Sequence, residues 1–148
     1  MEPHYYNVDI NWSTERKGMM CSPELYTDAG TCIEVATPPE FPKGIPGIWS
    51  PEHLFTAAIS SCLMTTFLSI AENSKLKFTG FSCKSKGKLE QLDGKLMMTE
   101  ITLEPIVTII DEKDRERAER VLQKSEAACL ISNSVKSKII MLSTIKIN

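Results

Sequence analysis

The sequence predicts an α+β domain. Three patterns carry that expectation: apolar–polar alternation near both ends, an extended hairpin pattern around Asp93-Gly94, and two helical segments of opposite character, one uncharged and one highly charged. The length of 148 residues fits a single domain over 1–148 that can bury about 70% of its unfolded surface. Hydrophobic residues at 42% and charged residues at 24% exclude wholesale disorder. Seventeen Lys and Arg against nineteen Asp and Glu give a net charge of −2, which argues against a strongly basic nucleic-acid-binding domain. Two histidines leave little room for a His-rich metal site.

Residues 1–37 read as strands. Tyr6, Val8, Ile10 and Trp12 alternate with Asn7, Asp9 and Asn11, the period of two of a half-buried strand. Asp28-Ala29-Gly30 marks a turn, and Thr31 to Thr37 forms a further strand around Ile33 and Val35. Residues 38–51 hold five of the eight prolines and form an ordered, extended loop. Its apolar residues Phe41, Ile45, Ile48 and Trp49 either pack on a core or cover a substrate pocket.

Ser50 is suited to cap a helix and Pro51 to open it. From Leu54 to Ala71 there are 18 residues without a charge, close to membrane-spanning length. Six hydroxyl residues (Thr56, Ser60, Ser61, Thr65, Thr66 and Ser69) make it a poor span, so no membrane partner is expected. A helix apolar on most sides is a buried central helix, and so small a chain needs a second copy to cover it; a homodimer is expected.

Residues 77–91 and 95–110 form a long hairpin turning at Asp93-Gly94. Phe81, Cys83 and Leu89 mark its dry face, with Lys84, Lys86 and Lys88 on the wet one. Ile101, Leu103, Val107 and Ile109 continue the dry face in the second arm. Asp111 caps a helix over 112–127 whose less charged face is Ala118, Val121, Leu122 and Ser125. A last strand spans Lys138 to Ile147.

The five cysteines at 21, 32, 62, 83 and 129 contain no Cys-x-x-Cys pair, so spacing implies neither a zinc site nor a thioredoxin-type motif. Their odd number and wide spacing do not resemble a secreted disulfide framework. The N-terminus lacks a signal-peptide pattern, so cytoplasmic location with reduced thiols is the expectation. Cys83 reads as core, and Cys21 and Cys32 as filling residues without partners. On spacing alone, Cys62 and Cys129 also default to buried and inert.

The segment Ser50-Pro51-Glu52-His53-Leu54-Phe55, followed by Ala57-Ala58 and by Cys62 ten residues after Glu52, resembles the OsmC/Ohr family of thiol-dependent hydroperoxide reductases. Ala36-Thr37-Pro38-Pro39-Glu40 matches the run into that motif, and the resemblance extends in order over the whole chain. It implies an intertwined homodimer with curved antiparallel sheets wrapped around buried central helices, and active sites at the interface. Cys62 would be the peroxidatic thiol, Cys129 the resolving thiol, Arg16 the activating cation and Glu52 the carboxylate that holds it. The organic-hydroperoxide branch usually has Cys-Pro-Tyr-Ser where this chain has Cys129-Leu130-Ile131-Ser132, and a Gly-Arg-Asp-Gly type of turn where it has Glu15-Arg16-Lys17-Gly18. Whether Arg16 or Lys17 faces the thiolate is left open.

The chemistry is consistent with those roles. A thiolate, not a thiol, attacks a peroxide, and burial alone works against it. Lowering a cysteine from about 8.5 to about 6 takes roughly 3.4 kcal/mol, and one cation about 4 Å away supplies about 4 kcal/mol at an effective dielectric of 20. Ten helical residues rise about 15 Å, so Glu52 would reach a Cys62 site only across a two-fold axis. The resemblance implies an organic hydroperoxide substrate, an external dithiol reductant such as a lipoylated protein, and no metal or other cofactor. Two competing readings are a non-catalytic or redox-sensing module that binds a small apolar ligand, and a cysteine hydrolase using Cys62 and His53. Helical separation and the lack of an orienting third residue argue against the hydrolase.

Overall fold

The structure, a computed structural model, describes residues 1–25 and 31–148. The turn expected at Asp28-Ala29-Gly30 lies outside the described residues. Contacts divide the chain into two compact units, residues 1–54 and 55–148. The α+β class is as expected.

In the first unit, β1 (Asp9–Thr14), β2 (Lys17–Cys21) and β3 (Ile33–Ala36) form an antiparallel sheet in that order. Glu15-Arg16 turns the chain between β1 and β2, with Glu15 at φ 51°. The Trp12 indole N–H closes the turn on the Glu15 carbonyl at 2.9 Å. Every residue of β1 is exposed, Trp12 at 77%. The half-buried strand expected at Tyr6–Trp12 is therefore corrected: its alternation is real, but its apolar residues remain open to solvent in the single chain.

Cys21 and Cys32, expected as separate filling residues, form a disulfide. The register explains it. Met20 is opposite Ile33, so the next rung of the ladder places Cys21 opposite Cys32. Sequence spacing does not reveal such a pair because only the strand register brings it together.

The second unit contains the hairpin. β4 (Gly80–Leu92) pairs antiparallel with β5 (Lys95–Ile109), turning at Asp93-Gly94 with φ 51° and 78°. Positive φ at both turn positions matches the right-handed twist of the strands, and Gly94 adopts it without a Cβ penalty. Ile101, Leu103, Val107 and Ile109 are buried as expected. Leu89 is not: a bulge between Lys88 and Leu89 resets the alternation and turns this residue outward.

The expected last strand is two, β6 (Lys138–Met141) and β7 (Thr144–Ile147), both parallel to β5. The sheet is thus mixed rather than purely antiparallel. β6 pairs with 100–103 and β7 with 106–109; Pro105, which has no N–H, lies in the interval.

Helix α1 (Pro51–Asn73) starts as expected, with the Ser50 hydroxyl accepting the His53 N–H at 3.1 Å. Its buried residues Ile59, Cys62, Leu63, Phe67 and Ala71 form one stripe at helical spacing. The hydroxyls of Ser60, Ser61 and Thr65 donate to carbonyls three residues earlier, so an apolar helix of mean hydropathy 1.7 tolerates them. The central helix expected to be buried all round is covered on this stripe, while Met64 and Leu68 remain exposed.

Helix α2 (Arg115–Ala128) follows a 3-10 turn at Glu112–Asp114 and buries Ala118, Val121, Leu122 and Ser125, the face its pattern predicts. Two apolar clusters bind the unit. Phe67, Ala71 and Leu76 join Val107, Ile109 and the α2 face; Ile59 and Leu63 join Ile101 and Leu103, with Ile131 and Val135 packed against them.

The Cys21–Cys32 bond closes a loop of sequence separation 11, a constraint on the unfolded chain worth about 3 kcal/mol. Cys21→Ser is expected to lower the unfolding free energy of the oxidised protein by that amount, and thiol counting on unfolded, unreduced wild type should find three thiols, Cys62, Cys83 and Cys129. Five would contradict the pairing.

Candidate active site

Cys62 and Cys129 meet although 67 residues separate them in sequence. Cys62 lies in the buried stripe of α1, one residue before Leu63. Cys129 ends α2, its N–H bonded to the Glu126 carbonyl at 3.3 Å. The chain then turns so that Ile131 packs on the Ile59–Leu63–Ile101–Leu103 cluster. One hydrophobic contact therefore anchors both cysteine segments. The Cys129 thiol points at the Ile59 carbonyl, 4.0 Å away, one turn of α1 before Cys62.

The two sulfurs have opposite electrostatics. Burial of Cys62 disfavours its thiolate. Hydrogen bonds from the Ile131 N–H, the Cys129 thiol, the Thr66 hydroxyl and the Leu130 N–H together outweigh it, and the Cys62 thiol is held below its ordinary value. The Thr66 oxygen is 3.9 Å from the sulfur, one helical turn on. Burial pushes the Cys129 thiol up; the Ser132 hydroxyl and N–H offset part of this, and proximity to Cys62 adds to it. Of the two thiols, Cys62 is thus the more readily ionised.

All donors on Cys62 are neutral. The sequence argument assigned the whole task to a cation; here backbone N–H groups and short side chains already reverse the effect of burial. A hydrogen bond to a charged group is worth about 1.5–3 kcal/mol, so several such donors match one cation in scale. Thr66, Leu130, Ile131 and Ser132 were not singled out by the sequence argument. Thr66 had a signal, its spacing of four from Cys62 on one helix face. The backbone donors had none, because an N–H carries no residue identity.

Arg16, Glu52 and the four loop residues belong to the 1–54 unit. Arg16 is exposed in the β1–β2 turn and makes no ion pair among the described residues. Lys17 is engaged, its ammonium 3.4 Å from Glu34. Arg16 and Lys17 line a cavity of about 570 Å³ with Ile10, Trp12, Val35 and Pro51. Glu52 is half-buried in the first turn of α1, and α1 runs unbroken, so ten residues of helical rise separate it from Cys62 along the axis. Ile48 and Trp49 line a second cavity of about 330 Å³ with His53, whereas Phe41 and Ile45 are half-buried in the loop outside that lining. The His53 ring is tied to the Ser50 hydroxyl at 2.6 Å, a capping role. Among the described residues no cluster of three or more His, Cys, Asp or Glu could hold a metal ion.

The family model described as OsmC-like protein matches residues 44–142. No curated protein matches the chain at a significant level. Solved structures match along almost its whole length. An OsmC-like protein of unknown function from Vibrio cholerae superposes with a TM-score of 0.82 at 21% identity, covering 95% of this chain and 99% of that one. An organic hydroperoxide resistance protein from Elizabethkingia anophelis gives 0.76 at 20% identity, covering 99% of each. The organic hydroperoxide resistance protein of Bacillus subtilis gives 0.69 at 17% identity, covering 97% and 98%. These likenesses establish the fold.

The lowered Cys62 thiol has a direct consequence. Its alkylation rate by a small haloacetamide should rise with pH and level off below the ordinary thiol range near about 8.5. Thr66→Val, which removes one donor, should move that profile upward by up to about one pH unit. A Cys62 profile centred in the ordinary range would contradict the electrostatic account.

Proposed function

We propose that this chain, which belongs to the OsmC-like protein family, is a thiol-dependent peroxidase that reduces organic hydroperoxides to alcohols. The observation that carries the reading is the meeting of two buried free cysteines, the Cys129 thiol reaching the Ile59 carbonyl one helical turn before Cys62, with the Cys62 thiol held low and the Cys129 thiol held high. Organic hydroperoxide resistance proteins among its structural neighbours support the reading.

In this reading the Cys62 thiolate attacks one peroxide oxygen. The S–O bond forms, the O–O bond breaks, and the leaving alkoxide takes a proton to become the alcohol. Cys62 is left as a sulfenic acid. The Cys129 sulfur then attacks it; the S–S bond forms and hydroxide leaves, taking up the Cys129 proton as water. An external dithiol, such as a lipoyl group on a protein, restores both thiols by two exchanges. The cycle uses no metal or organic cofactor, and the reducing cytoplasm is its proposed setting.

The reading includes a homodimer. Met64 and Leu68 on α1 and Ile10 and Trp12 on β1 are exposed apolar residues that a second copy would cover. Arg16 would serve as the cation beside Cys62 in the assembled site, since Lys17 is already committed to Glu34. Glu52 would hold that arginine at the Cys62 of the other copy. Phe41, Ile45, Ile48 and Trp49 would form an apolar substrate pocket, favouring a greasy peroxide over hydrogen peroxide.

The test is steady-state peroxide consumption with dihydrolipoamide as reductant. Cumene hydroperoxide should be consumed faster than hydrogen peroxide. Cys62→Ser should abolish turnover, and Cys129→Ser should leave Cys62 oxidation while abolishing disulfide formation. Absence of turnover in wild type, with all free thiols intact, would overturn the reading in favour of a ligand-binding module.

A further inference from the structure

A cavity of about 690 Å³ opens in the second unit, where the end of α1, the end of β5 and the start of α2 converge. It is larger than the two cavities described above. Lys75, Lys77, Lys113 and Arg117 line it, against two carboxylates, Asp111 and Asp114. That is an excess of two positive charges around one concavity, in a chain whose net charge is −2. Both carboxylates are committed. Asp111 accepts the Lys113 N–H at 3.0 Å and holds the Lys113 ammonium at 3.4 Å. The buried Asp114 lies 3.8 Å from the Arg117 guanidinium. Among the described residues, no carboxylate pairs with Lys75 or Lys77.

The backbone fixes where these two lysines sit. α1 ends in a turn in which the Leu76 N–H bonds the Ala71 carbonyl at 2.9 Å and the Lys75 N–H bonds the Glu72 carbonyl at 3.0 Å. Leu76 is buried with Ala71 in one core cluster, which clamps the turn. Such a closure needs a left-handed residue just before Leu76, a place that favours glycine; here it is Lys75, at φ 55°. A lysine held at a glycine position, with Lys77 just beyond the buried Leu76, puts two unpaired lysines in the wall of one cavity. Like charges crowded into a concave wall repel one another, and the wall focuses their field on an anion. Ile110, 62% exposed, adds an apolar surface to the same wall.

We propose that this cavity binds a soluble phosphomonoester with an apolar or aromatic body. Above neutral pH a phosphomonoester carries close to two negative charges, which matches the positive excess, and its oxygens accept from several donors at once. Lys75 and Lys77 supply the uncompensated charge. Lys113 and Arg117 supply further N–H donors from the α2 side, and Ile110 takes the organic part. An inorganic anion would leave Ile110 unused, and a neutral apolar molecule would leave the lysines unused. Binding there involves no thiol and makes or breaks no covalent bond, so it stands whatever Cys62 and Cys129 do.

The test is calorimetric titration of the whole chain, above neutral pH, with phenyl phosphate, inorganic phosphate and phenol. Phenyl phosphate should bind saturably and about tenfold tighter than inorganic phosphate, and phenol should not bind. Amide NMR shifts should centre on residues 75–77 and 110–117. Lys75→Gly relieves the left-handed position, so it should fold at least as stably as wild type while weakening phenyl phosphate about tenfold. Lys75→Arg should keep the affinity. Ile110→Ser should weaken phenyl phosphate and leave inorganic phosphate unchanged. Lys84→Gln/Lys86→Gln removes two charges from the exposed face of the hairpin and should change neither. Equal losses in that variant and in Lys75→Gly/Lys77→Gln would reduce the effect to net charge and overturn the proposal. Wild-type affinity in Lys75→Gly/Lys77→Gln, or no saturable binding by wild type, would also overturn it. Sedimentation with phosphatidic acid vesicles, without binding of phenyl phosphate, would overturn the soluble ligand in favour of a membrane headgroup.

Discussion

The packing of Ile59 and Leu63 against Ile101 and Leu103, with Ile131 and Val135 laid over them, is the contact on which the site depends. Cys62 is the neighbour of Leu63, and Cys129 is two residues before Ile131. Neither cysteine is positioned by its own chemistry. Each is carried by apolar side chains whose burial is worth about 1.5–3 kcal/mol apiece, enough to hold two distant segments in register. The hydrogen bonds around the sulfurs are a consequence: once Ile131 is seated, its own N–H and that of Leu130 act on Cys62. A loss of packing at Leu63 would therefore disturb the thiol electrostatics without touching either sulfur.

The same cluster explains why the site can be dry and still favour a thiolate. Burial disfavours charge, and in an apolar pocket with no donors Cys62 would be an inert core cysteine. Backbone N–H groups, the Thr66 hydroxyl and the Cys129 thiol change the sign for Cys62, while Cys129 stays raised. The asymmetry comes from how donors are distributed over two thiols in one pocket, since Cys129 is the more deeply buried and its own proton points at the Ile59 carbonyl.

Legibility in the sequence followed the range of the interaction. The buried face of α2 and the Asp93-Gly94 turn were readable because helical period and turn chemistry are local. The exposure of β1 was not, because its alternation implies a covering layer and the described residues do not supply one. Leu89 was misread because a bulge adds a residue without changing composition. The Cys21–Cys32 pair and the split of the last strand both depend on pairing register, which no single segment encodes. Cys62 and Cys129 were reached through resemblance to a family. From spacing alone they were two ordinary buried cysteines, and the donors that distinguish them are largely backbone.

The central claim is that Cys62 and Cys129 are a working pair. The most direct measurement is peptide mapping by mass spectrometry, without reduction, after one equivalent of cumene hydroperoxide is added to protein reduced at these two sites. A peptide pair linked through Cys62 and Cys129, formed in proportion to the peroxide added, is the predicted result. Cys62 left as a free thiol, or oxidised to sulfinic acid with Cys129 unlinked, would contradict it.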